Sequence, residues 1–195
     1  MDNSFNSVRQ FERAVADFAG AWHGVAVDSC TSAIFLSLKR LQAQAVTVPK
    51  HTYVSVPMAV LHAGCELRFT DMEWEGVYWL YPYPIVDSAC RFRKGMYEGG
   101  LHCLSFQARK KLPIGRGGMI LTDSEEDAEW LRRARACGRN VNVPFKDDDI
   151  QELGWNMVMT PEQASRGLFL MESMVFDDKD SKFEYPDVSK MRCFQ

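Results

Sequence analysis

The sequence predicts an α/β layered fold with a mainly parallel sheet. Three observations carry this: short apolar runs of strand length, helical periodicity between them, and hydroxyl, proline and glycine punctuation at the joins. Phe5, Val8, Phe11, Val15 and Phe18 recur at three- and four-residue steps and predict an amphipathic helix over 5–19. Strands are predicted near 24–28, 45–48, 66–70, 77–80, 84–87, 101–106 and 118–122, alternating with helices near 32–43, 53–63 and 124–137. Thr160 to Phe176, with Pro161 at the first position, predicts a last helix. Residues 139–152 are rich in Asn, Lys and Asp and predict an exposed loop. Residues 1–176 then form one domain, and 177–195 a charged tail expected to be poorly ordered or laid on a partner.

Composition narrows the function classes. A chain of 195 residues with 46% hydrophobic content can bury a substantial single core. A net charge of −3 with intermixed signs argues against nucleic acid as the main partner. The densest basic run, Arg132 to Arg139, is expected to be a solvated helix face. No apolar run reaches membrane-span length and Met1-Asp-Asn-Ser carries no signal pattern, so the expected location is cytoplasmic. The six cysteines form no Cys-x-x-Cys pair and are expected to be reduced thiols. His51 and His62 have no thiol or carboxylate at ligand spacing, so no metal is expected.

The chemistry concentrates in Ser105-Phe-Gln-Ala-Arg-Lys110-Lys-Leu-Pro-Ile-Gly-Arg-Gly-Gly118, a lysine loop between two apolar strands. An amine that loses hydration there is suited to a Schiff base with an aldehyde. A lysine in a Gly/Pro-flanked loop is commonly just a surface charge, so other segments must supply a phosphate cradle, an anion and a flat face. Ser29-Cys-Thr-Ser32 precedes an apolar-periodic run and could present a helix N-terminus to a phosphate, or simply cap the helix. Asp87 ends an apolar strand, where ligands of open α/β sheets gather, although Asp28 and Asp71 end strands too. Tyr53 at a helix mouth could stack on a ring or belong to the core.

In order, these segments resemble the DegT/DnrJ/EryC1/StrS family of sugar aminotransferases, which bind pyridoxal 5'-phosphate (PLP). Asp28-Ser-Cys-Thr-Ser-Ala33 is similar to its phosphate turn, and Val48-Pro-Lys-His-Thr-Tyr-Val-Ser55 to its stacking segment. Ala63-Gly through Phe69-Thr-Asp71, Val86-Asp-Ser-Ala89 and Arg132-Arg-Ala-Arg-Ala-Cys-Gly138 also match. Ser105 to Gly118 resembles the Schiff-base signature, and Gly154-Trp-Asn-Met-Val-Met-Thr-Pro-Glu-Gln-Ala164 the Gly-Tyr-Asn-x-Arg-Met segment.

The resemblance implies a three-layer α/β/α sandwich, the large domain of fold type I PLP enzymes in truncated form. It implies that Lys110 forms the Schiff base and moves protons, and that Asp87 pairs with the pyridine nitrogen. Tyr53 would stack on the ring, Thr31, Ser32 and Ser105 would hold the phosphate, and Asn156 would reach the phosphate of a neighbouring subunit in a homodimer. The implied reaction moves an amino group from an amino acid such as glutamate to a nucleotide-linked keto-sugar. Cys30, Cys90, Val158 and Arg116 depart from the family pattern, the segment 72–83 is compressed, and no small C-terminal domain follows Met174. A catalytically degenerate remnant serving for binding or dimerisation is therefore the alternative expectation.

Overall fold

Alternation along the strands fixes a sheet covered on both faces. A computed structural model describes residues 5–195; Met1–Ser4, including the N-terminal pattern read above, lie outside the described residues. In β1 (His23–Val27), Val25 and Val27 point to one face and Ala26 to the other. The same division runs through β6 (Leu101–Ser105) and β7 (Gly118–Thr122), with Cys103 and Ile120 on the first face and Leu104, Met119 and Leu121 on the second. A strand buried on both sides needs helices on both sides, which is the predicted three-layer arrangement.

The second face is covered by α1 (Asn6–Ala19) and α5 (Pro161–Ser173), through Val8, Phe11, Val15 and Ala164. α1 stops at Gly20, whose φ of 87° is the left-handed conformation that a glycine adopts at little cost. α5 begins with a capping box between Thr160 and Gln163 and with Pro161 in the first turn. The first face is covered by α2 (Cys30–Arg40), α3 (Ser55–His62) and α4 (Glu125–Ala134). α4 is capped by Ser124 and carries Glu125, Glu126 and Asp127 in its first turn, where the helix dipole favours negative charge.

The main sheet has the order β1-β7-β6-β5-β4, with β5 at Ile85–Asp87 and β4 at Tyr78–Trp79. β2 (Ala45–Pro49) and β3 (Glu66–Thr70) form a parallel pair. Thr47 N–H donates to the Tyr81 carbonyl at 2.8 Å and ties that pair to the chain just past β4. β1, β2, β3, β5 and β6 therefore run one way, while β4 and β7 run against them. The sheet is mixed, with a parallel majority. The C-terminal ends of β1, β5 and β6 carry Asp28, Asp87 and Ser105.

Two expectations are corrected. Arg135, inside the basic run read as a solvated face, is buried and pairs with buried Glu12 of α1. The segment from Asp177 is neither loose nor free of the domain. Asp180 accepts from Arg91 Nε and Nη2 at 2.9 and 2.6 Å, Lys111 meets Asp177 at 2.5 Å, and Val188 is fully buried. Two of its carboxylates, Asp177 and Asp180, are taken up by Lys111 and Arg91 of the body.

That attachment is pH-dependent. Arg91 holds the Asp180 carboxyl below the usual carboxylate range. A carboxylate with a depressed folded value stabilises fully above its unfolded value, about 4, and loses that contribution as pH falls through the folded one. Amide exchange in 178–187, corrected for intrinsic rates, is expected to accelerate at pH 3 relative to pH 6 more than exchange in β6 does. Equal acceleration would refute the clamp.

Candidate active site

The site is built where the strand ends meet the α2 N-terminus. Asp28 follows β1 and accepts from Ser32 Oγ at 2.5 Å and Ser29 Oγ at 3.1 Å on Oδ1, while Arg116 Nη2 donates to Oδ2 at 2.9 Å. Ser29 is the N-cap of α2 and accepts from the Ser32 N–H at 3.1 Å. The N–H groups of Cys30 and Thr31 have no backbone acceptor among the described residues, which suits an anion there. β7 passes directly behind this turn: a Cβ on Gly118 would lie 2.4 Å from the Ser29 carbonyl carbon and 2.5 Å from the Cys30 nitrogen. The glycine is needed for that close approach. Ser29→Ala is expected to destabilise the chain by about 1 kcal/mol, read from the urea midpoint.

Asp87 ends β5 and is buried. Its Oδ1 accepts the Ala89 N–H at 2.9 Å and its Oδ2 the Tyr78 hydroxyl at 2.7 Å, and Tyr78 in turn meets Thr52 at 2.6 Å. Burial pushes the Asp87 carboxyl up; the Tyr78 hydroxyl, the Ala89 N–H and the Lys110 charge oppose that rise. Burial, then the Asp87 charge, pushes the Tyr78 phenol well above its ordinary value.

Lys110 sits on the loop 106–117 that joins β6 to β7, as the sequence predicts. The loop is folded on itself by Phe106 N–H to Gly117 and Ala108 N–H to Gly115 bonds, and Phe106, Leu112 and Ile114 plug it into the core. The lysine Nζ lies 4.0 Å from Cys90 Sγ and 4.3 Å from the centre of the Phe183 ring.

These groups surround one cavity of about 480 Å³, within the usual size of a small-molecule site. Thr31, Tyr53, Asp87, Ser105 and Lys110 all line it. Thr31 Oγ1 donates to Ser55 Oγ at 2.8 Å, linking the starts of α2 and α3. Tyr53 is 55% exposed, so its ring is a free face and not core. The structure does not bring Ser32 to the cavity: it is buried, with its hydroxyl committed to Asp28, and it shapes the turn. Asn156 stands exposed in a bridge with Ala136 and does not line this cavity. A larger opening of about 560 Å³ between α1 and α4 is lined by arginines and contains none of the predicted site residues.

Of the departures noted in the sequence, Cys30 turns its thiol to the Cys103 carbonyl at 3.4 Å, and burial pushes that thiol well up. Cys90 stays beside Lys110, with its thiol also raised by burial. Val158 bridges Val27 through its backbone. Tyr78, Thr52, Trp74, Phe183 and Tyr185 line or support the site without having been singled out. Only the aromatic density of 74–83 hinted at any of them.

A PLP molecule fits the chemistry of this donor set. The buried Asp87 carboxylate has hydrogen-bond donors but no ion-pair partner among the described residues, and burial alone disfavours its charge. A protonated pyridine nitrogen would supply the missing cation. The helix N-terminus with Thr31 and Ser105 offers donors to a phosphate, and Lys110 offers the amine.

Comparison with known proteins agrees. The family model described as the DegT/DnrJ/EryC1/StrS aminotransferase family matches residues 2–79 and 93–177. The spore coat polysaccharide biosynthesis protein SpsC of Bacillus subtilis is 26% identical, over 91% of this chain and 59% of its own length. The UDP-4-amino-4,6-dideoxy-N-acetyl-beta-L-altrosamine transaminase of Campylobacter jejuni is 22% identical, over 83% of this chain and 55% of its own. The chain thus spans little more than half the length of these relatives. Among solved structures, AtS13 from Actinomadura melliaura superposes with a TM-score of 0.76 at 23% identity, covering 86% of this chain and 60% of that one. The sugar aminotransferase CalS13 from Micromonospora echinospora gives 0.71 at 16%, covering 86% and 61%. A shared fold, matching signature segments and a family model covering most of the chain lead to one conclusion: this chain belongs to the DegT/DnrJ/EryC1/StrS aminotransferase family.

Proposed function

We propose that the chain is a PLP-dependent aminotransferase that moves an amino group from an amino acid, glutamate in the simplest case, to a nucleotide-linked keto-sugar. The observation that carries this reading is the convergence of Lys110, Asp87 and the Ser29–Thr31 turn on one cavity. Bound PLP would supply an electron sink through which an amino group can leave one carbon skeleton and join another. Asp87 would hold a proton at the pyridine nitrogen and so maintain that sink. Thr31, Ser105 and the free N–H groups at the α2 start would bind the phosphate, and Tyr53 would cover the ring. Lys110 would hold the aldehyde and then, once displaced, carry a proton on its Nζ to and from the reacting carbon.

The nucleotide-sugar side rests on relatives, among them the Campylobacter jejuni transaminase and a GDP-perosamine synthase of Caulobacter vibrioides. A homodimer is part of the proposal: the family resemblance assigns Asn156 to a neighbouring copy's phosphate, and in support Asn156 is exposed and does not line its own cavity. No helix among the described residues is long and apolar enough to cross a membrane, and we place the reaction in the cytoplasm.

The test is spectroscopic. Wild type with added PLP is expected to show a visible band that is absent from Lys110→Ala, and borohydride should fix the label on Lys110. Glutamate should bleach the band. No band in wild type ends the proposal. A band indifferent to every amino donor would favour the degenerate remnant, which the Cys90 and Val158 departures support.

A further inference from the structure

Residues 177–191 cross the cavity, and the crossing is fastened at both ends to elements that build the site. On one side Asp180 takes two N–H groups of Arg91, and the Ser181 N–H donates to the Cys90 carbonyl at 2.8 Å. On the other, the Val188 N–H donates to the Lys50 carbonyl at 2.9 Å, and His51 Nδ1 lies 3.0 Å from the Tyr185 carbonyl oxygen. Between the clamps Phe183 and Tyr185 turn into the cavity. The Tyr185 ring stacks on Trp74 at 6.0 Å and 21° and meets Tyr53 at 6.3 Å. The cavity keeps its roughly 480 Å³ with this segment in place, so the segment bounds the site without filling it.

The Tyr185 hydroxyl is the unspent part of this wall. Its one side-chain partner among the described residues is the Cys90 thiol at 3.8 Å, a weak donor and acceptor. A phenol drawn half out of solvent ordinarily has a full hydrogen-bond partner. Here that place is open to the cavity. Cys90 also stands 4.0 Å from Lys110 Nζ, so hydroxyl, thiol and amine share one corner. Pyridoxal carries a ring hydroxyl next to the aldehyde that a lysine would hold, and that corner is where such an oxygen would need a donor.

We infer that Tyr185 is a further cofactor-positioning residue, carried into the site on a clamped wall formed by residues 177–191. The inference rests on the reading of the cavity as a PLP site. Two measurements on the full chain test it. Because coupling between a ligand and the wall it touches is reciprocal, PLP should slow amide exchange across 181–187. Faster exchange would make the segment a plug, and unchanged exchange would detach it from the site; either overturns the inference. Tyr185→Phe keeps the ring and its stacking but removes the donor. It should weaken PLP binding about fivefold and move the visible band, at unchanged thermal stability. Tyr81→Phe, exposed and outside the cavity, should do neither. An affinity and band identical to wild type in Tyr185→Phe would refute the role. A wild type with no band at all fails the aminotransferase reading instead, so the two failures are distinct.

Discussion

Asp87→Ala is expected to slow amino transfer by about 10²–10³-fold while changing PLP affinity by less than tenfold. The asymmetry follows from what the carboxylate touches. Phosphate, amine and ring contacts would be made by Thr31, Ser105, Lys110 and Tyr53, and all survive the substitution. What would be lost, on the proposed reading, is the buried carboxylate that would keep a proton on the pyridine nitrogen. Removing a preorganised charge that acts on developing charge has effects of that size. Single-turnover bleaching by glutamate, beside a binding titration, separates the two quantities. Equal losses in both would mean that Asp87 merely binds.

The same carboxylate has an opposite consequence for the empty protein. Burial raises its folded value, so its contribution to stability is fully present below the unfolded value and is lost as pH rises through the folded one. Above that raised value the apo chain holds a buried carboxylate that the Tyr78 hydroxyl, the Ala89 N–H and the Lys110 charge offset only in part. Asp87→Asn should therefore raise the apo melting temperature at pH 7 and leave it little changed near pH 4. Stability given up at a buried functional charge is a common trade. An apo Asn variant less stable than wild type at neutral pH would contradict this account.

The layers of the fold were legible because they depend on local pattern. Short apolar runs near 24–28, 101–106 and 118–122 and three-four spacing in α1 placed strands and helix within a residue or two. The lysine loop was legible because a glycine-rich turn closes it, and the last of these glycines, Gly118, lets β7 pass behind Ser29. What escaped depends on distant partners. Tyr78 fell in the strand predicted near 77–80 and was not singled out, because only the turn of β4 back against β5 sets its hydroxyl on Asp87. Asp177 and Asp180 belonged to a tail read as poorly ordered or laid on a partner, because Lys111 and Arg91, which hold them, lie 66 and 89 residues away. Ser32 shared its residue type with the phosphate-cradle candidates, but its place in the first turn gave its hydroxyl to Asp28. Sequence pattern reports which face a residue shows; it does not report who waits on that face.

Glu12 and Arg135 are the most extreme case, 123 residues apart and both buried. Glu12 Oε1 accepts the Ala26 N–H at 2.9 Å and pairs with Arg135 Nη1, which also donates to the Ala26 carbonyl. One ion pair thus joins α1, β1 and the residue after α4. Glu12→Ala would leave a buried guanidinium without its anion and a buried N–H without an acceptor, a loss of about 3–5 kcal/mol. A domain holds about 5–15 kcal/mol in total, so this is a large fraction of it. The damage should reach the site, because Ala26 lies two residues before Asp28, which organises the phosphate turn. Removing both charges with Glu12→Met and Arg135→Met should destabilise less than Glu12→Ala alone, since no unpaired charge remains. Urea denaturation of the two variants decides it. If the double variant is the less stable of the two, the burial of this pair is not what makes Glu12 indispensable.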